Sequence, residues 1–149
     1  MTECERVNAA ERIAQHGYHP GLTFFKIEQD AVEEFALSTI ARAGFECEVF
    51  PFLNFLDCEL EGWCAKDVTS DGATCGGAIY FDQQSFCKWT VCHEFAHWLD
   101  PGHPQKVKPH SAKFREIMVK LVKHGIAEYA SWGLASEYKR HGFRYIFIP

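Results

Sequence analysis

The chain has 149 residues, 47% apolar and 23% charged, the proportions of one ordinary globular domain with room for its own core. No stretch approaches the roughly 20 apolar residues that a membrane span needs, and the polar start Met1-Thr2-Glu3-Cys4-Glu5-Arg6 is unlike a secretory signal, so no membrane contact and an intracellular location are expected. The net charge of −5 is uneven: residues 1–103 hold 6 basic and 17 acidic side chains, residues 104–149 hold 9 and 3, so the last third could face an acidic partner such as nucleic acid.

Thr2-x-x-Glu5 has the form of a capping box and opens a first helix running to about Gln15, before His16-Gly17. Asp30-x-x-Glu33 has the same form. It predicts a second helix with Val32, Phe35, Ala36, Thr39, Ile40 and Ala43 on one face, stopping at Gly44. From Phe45 to Leu60, aromatic and β-branched residues interrupted by Pro51 and Asn54 fit one or two strands. Asp67 to Gly77 reads as a turn-rich loop, and Ala78-Ile79-Tyr80-Phe81 as a short strand. A third helix is expected from near Ser85 to Asp100-Pro101-Gly102, and a loop then continues to Pro109. Two more helices follow, about His110 to Lys123 and Ile126 to Arg140, and the tail 143–148 has a strand pattern. The expected fold is a single α+β domain over 1–149, mostly helical with a small sheet.

The seven cysteines are odd in number, irregularly spaced and without a Cys-x-x-Cys pair, which predicts reduced, mostly buried thiols. Cys58, Cys64 and Cys75 are the cysteines available to a second metal.

The chemistry concentrates in His93-Glu94-Phe95-Ala96-His97. On a helix the two imidazoles project from one face about a turn apart, a spacing that suits one tetrahedral zinc. Glu94 stands about 100° round from His93, beside the metal and not on it, where it can act as general base toward a water on the zinc. For the third ligand, His103 lies six residues after His97, as in an extended His-Glu-x-x-His-x-x-Gly-x-x-His pattern, with Asp100 at the glycine position. His110, opening the next helix after Pro109, is preferred, because a rigid element would hold it. Glu116 and Glu128 have no support from spacing. Tyr129, Tyr138 and Tyr145 are candidates for stabilising an oxyanion, and Trp98 and Trp132 for lining a groove.

His93 to His97, followed by Pro109-His110-Ser111-Ala112-Lys113-Phe114, resembles the SprT/Spartan-type zinc peptidases. Gly77 to Phe81, with Trp89 ahead of the zinc helix, resembles the edge strand and helix leading into that site. The resemblance spans about Gly76 to Lys123 and implies a zincin-like fold, one zinc on His93, His97 and His110, Glu94 as base, and protein or peptide substrates, notably proteins crosslinked to DNA. Ser111 replaces the glycine usual in that family. No cysteine follows Lys123, so the DNA-contacting zinc ribbon of many relatives has no counterpart here. If Ile79-Tyr80-Phe81 is an edge strand, an extended peptide can pair with it. Two other readings suit the same residues: a zinc-containing binding or inhibitory module indifferent to Glu94, and a zinc hydrolase of a non-peptide bond.

Overall fold

The computed structural model describes residues 1–17, 25–71, 73–103 and 110–144. They form five helices and one three-stranded sheet, an α+β arrangement as expected.

Helix α1 (Glu3–Gly17) starts at the capping box read from the sequence: Thr2 N donates to Glu5 Oε2 at 2.8 Å, and Glu5 N donates to Thr2 Oγ1 at 3.1 Å. It buries Val7, Ala10 and Ala14 and packs against α5 (Glu128–Arg140). Helix α2 (Val32–Arg42) buries Val32, Ala36, Thr39 and Ile40, the face that the periodicity marks. Its start differs from expectation. Residues Gln29–Ala31 form a 3-10 turn, and Ala31 caps the helix with no side-chain bond, so Asp30 and Glu33 make no capping box. Gly44, at φ 84°, ends the segment in a conformation that glycine adopts without steric cost.

The sheet contains a strand that the sequence reading missed. β1 (Phe52–Leu56) runs parallel to β3 (Thr74–Asp82), and β2 (Gly62–Val68) pairs antiparallel with β3 on its other side. Most of the expected loop 67–77 is therefore the end of β2, a tight turn and the start of β3. Gly76 and Gly77 lie inside a strand, and a Cβ on Gly77 (φ 136°) would press on the backbone of Ala65 and Lys66. The order β1-β3-β2 also corrects the edge-strand expectation: Ile79-Tyr80-Phe81 lies in the central strand, and β1 and β2 form the edges. A peptide cannot pair with Ile79-Tyr80-Phe81, because β1 and β2 already occupy the hydrogen-bonding groups of these residues.

One face of the sheet packs on the helices. Ile79 and Phe81 are fully buried there, with Phe55 stacked 5.5 Å from Phe81. Helix α3 (Lys88–Leu99) begins three residues later than expected, after Cys87, whose amide donates to Thr90 Oγ1 at 3.3 Å. α4 (Ala112–Gly125) packs against α2, α3 and α5. Of the expected tail strand, Phe143 and Arg144 are not in a strand and 145–149 lie outside the described residues.

Candidate metal centre

α3 is buried nearly all round, so its polar residues are enclosed with its apolar ones: Glu94 is 5% exposed and His97 8%. Its C-terminal end is held from the sheet. Lys66 on β2, itself buried, donates to the carbonyls of Trp98 (3.0 Å) and Asp100 (2.9 Å), while Trp98 Nε1 donates to Val49 O at 2.9 Å. The two Lys66 bonds satisfy carbonyls that a helix terminus leaves open, and together with the Trp98 bond they fix where His97 sits.

The third histidine comes from the entry to α4. Ser111 is the N-cap, its hydroxyl accepting from Phe114 N at 3.4 Å. That gives Ser111 a defined backbone role. His110 stands one residue before the cap, and Arg115 Nη1 donates to its carbonyl at 2.7 Å. The Arg115 guanidinium in turn lies 4.0 Å over the ring of Phe143, with Arg6 4.5 Å from the same ring. The N- and C-terminal segments thus brace the His110 backbone.

The three side chains converge. Ligand atoms of His93, His97 and His110 all lie within 4.8 Å of one another, close enough to hold one metal ion, and Nε2 of His93 and of His110 are 3.3 Å apart. Phe114, fully buried, forms a floor whose ring centroid is 5.0, 4.4 and 4.8 Å from those of His93, His97 and His110. Nδ1 of His97 and of His110 is buried without a hydrogen-bond partner.

His103 does not join them. Its ring packs 5.2 Å from that of His97, outside the three-way cluster. Asp100 has φ −70°, an ordinary extended backbone, so the sharp glycine-type turn that would bring position 103 onto the metal is not made. Glu116 is engaged with Lys113 and Lys120 on the surface of α4.

Two residues outside the motif complete the centre, and sequence reasoning missed both. Glu11 on α1, 5% exposed, places Oε1 2.7 Å from His93 Nδ1. This carboxylate fixes the ring and leaves Nε2 to face the cluster. A signal existed: Glu11 sits on the face of α1 that buries Val7, Ala10 and Ala14, an acidic residue where an apolar one belongs. Gly62 on β2 is the other. A Cβ there would come 2.8 Å from Glu94 Cγ and 3.0 Å from its Oε2, so the missing side chain is the space that Glu94 occupies.

The electrostatics follow from this packing. Burial works to lower the His93 pKa, but the adjacent Glu11 carboxylate outweighs it and raises the group to about 9. Burial, then the charge on His93, holds His97 far below the usual imidazole range and His110 down to about 3, so both keep free lone pairs. Burial pushes the Glu94 carboxyl up to about 7, against the lowering effect of His93.

The remaining candidates fall elsewhere. Cys92, next to His93, is core, its thiol raised by burial. The seven cysteines are free, and among the described residues Cys58, Cys64 and Cys75 do not gather into a metal-binding group. Tyr138 is buried against Phe143, Tyr129 and Trp132 are exposed on α5, and Tyr145 lies outside the described residues.

Comparison of the chain with protein-family models, with curated proteins and with solved structures gives no match. The reading of this site therefore rests on its own residues.

Proposed function

We propose that the protein is a zinc-dependent peptidase of the SprT-like, zincin type, with zinc on His93, His97 and His110 and Glu94 as its general base. The observation that carries this is the triple-histidine cluster with a buried carboxylate on the next residue of the same helix. The donor set fits zinc. Two nitrogens each about 2.0–2.1 Å from a tetrahedral zinc stand about 3.3–3.4 Å apart, and the Nε2 atoms of His93 and His110 are 3.3 Å apart. The second support is Glu11, because a carboxylate on the far nitrogen of a ligating histidine is the usual partner of such a ligand.

Zinc held there supplies Lewis acidity, lowering the pKa of a water molecule toward about 7 and polarising a carbonyl. The chain's own residues do the rest. Three histidines would hold the zinc, the ligand number of catalytic and not of structural zinc sites. Glu94, backed by Gly62, takes the proton of the attacking water on a carboxylate oxygen and returns it to the leaving amine. Glu11 holds His93 in one tautomer, and Arg115 holds the backbone that presents His110.

The test is cleavage of unfolded and DNA-bound proteins by the zinc-loaded protein, with and without single-stranded DNA, beside Glu94→Ala. Loss of a general acid–base group should cost about 10²–10⁴ in rate, with bound zinc unchanged by elemental analysis. Equal hydrolysis by the variant would overturn the role of Glu94. No cleavage by zinc-loaded wild type would leave a metal-containing binding protein instead.

A further inference from the structure

Among the described residues, the face of the sheet turned away from the helices carries large exposed apolar side chains beside a few polar ones. Side-chain alternation and the strand register place Phe52, Asn54 and Leu56 of β1, Ala78, Tyr80 and Asp82 of β3, and Trp63, Ala65 and Asp67 of β2 on it together. Phe52 is 81% exposed and Trp63 61%, and the Trp63 ring lies 5.3 Å from that of Tyr80. Scattered exposed apolar residues are ordinary, but several large ones gathered on one sheet face mark a contact surface.

The charge around the face selects its occupant. Between residues 45 and 85 the chain carries eight Asp and Glu against one basic residue, Lys66. The Lys66 amine is spent on the carbonyls of Trp98 and Asp100. Asp67 is exposed on β2, and Asp57, Glu59 and Glu61 are exposed on the connection between β1 and β2, beside the exposed Leu60. Aromatic side chains on a small sheet are also how single-stranded nucleic acid is bound, but that binding needs a positive groove to hold the phosphates. Here the field has the opposite sign, and it would repel an anionic membrane equally.

We infer that this outer sheet face docks a cationic protein segment, one in which Lys or Arg alternates with large apolar side chains. The apolar side chains would cover Phe52, Trp63 and Tyr80, and the cations would face Asp67 and the acidic β1–β2 connection. The inference uses none of the metal ligands and holds whether or not the centre is catalytic.

The test is fluorescence anisotropy of a labelled peptide of alternating Lys and Leu, titrated with the full chain carrying Glu94→Ala so that cleavage cannot intervene. Binding should weaken about thirtyfold on adding Trp63→Ala, the size of a hot-spot loss, and should also weaken with Asp67→Lys and with added salt. Trp132→Ala, at an exposed tryptophan on α5, should leave it unchanged. Circular dichroism checks that each variant is folded. Absence of binding, or equal affinity in the Trp63→Ala protein, overturns the inference. So does equal or tighter binding of a Glu–Leu peptide or of oligo-dT. A dimer seen in sedimentation and lost on Trp63→Ala would make a second copy the occupant and overturn it too.

Discussion

The helical half and the sheet depart from the usual burial pattern in opposite directions. Around α3, polar groups are inside: Glu11, Glu94, His97 and His110 are all less than a tenth exposed. On the sheet, apolar groups are outside, with Phe52 and Trp63 mostly in solvent. Each departure costs free energy unless something compensates. In the helical half the compensation lies within the chain, in the Glu11–His93 bond, and in the metal proposed for the three-histidine cluster. The sheet has nothing of the kind on its outer face among the described residues, which directs attention to another molecule. A buried polar cluster therefore points inward to chemistry, and an exposed aromatic cluster points outward to a partner.

The sharpest way to break this contrast is at β2, the strand that belongs to both halves. Gly62→Ala forces a methyl against Glu94 Cγ. A displacement of that order can cost about 10² in rate, and kcat/KM should fall accordingly, while zinc affinity by competitive titration stays at the wild-type value. A parallel loss of zinc would show that Gly62 supports the ligands and not the base.

The next effect is at Glu11. Removing a carboxylate partner of a ligating histidine weakens metal binding by about 10–100-fold. Glu11→Ala should do so, and Glu11→Gln, which can still accept a hydrogen bond from His93, should do so less. Unchanged zinc affinity in both would reduce Glu11 to a packing residue.

Thiol labelling gives the smallest effect and tests how well the inner face of the sheet is enclosed. Cys64 on the inner face is buried, and its thiol is pushed up to about 12 by burial and then by the charge of Glu94. Cys75 on β3 is exposed. In native protein at neutral pH an alkylating reagent should modify Cys75 readily and leave Cys64 intact, as peptide mass mapping would show. Fast labelling of Cys64 would mean that the inner face opens to solvent.

Much of the architecture and the site was readable where the signal is local. The Thr2–Glu5 box, the buried face of α2 and the His93/His97 spacing each depend on residues within one or two helical turns, and a helix fixes such relations by its own geometry. His110 was preferred over His103 from the rigidity of a helix start, and the three-histidine cluster agrees with that choice. Asp30 shows where local form misleads: the capping pattern is present, yet the chain makes a 3-10 turn there. β2 was missed because Gly62 to Val68 alternates weakly, with a lysine inward at position 66 whose amine finds its carbonyls only across the fold.

The amino-acid sequence by itself therefore determined most of the helices and the one helix face that carries His93 and His97, since these follow from periodicities of a few residues. Tertiary structure alone decided that β3 is central and not an edge, that Glu11 reaches His93 across 82 positions, and that Gly62 makes room for Glu94. Those are long-range contacts, chosen by how the helices and sheet exclude water together, and no spacing within a single element encodes them.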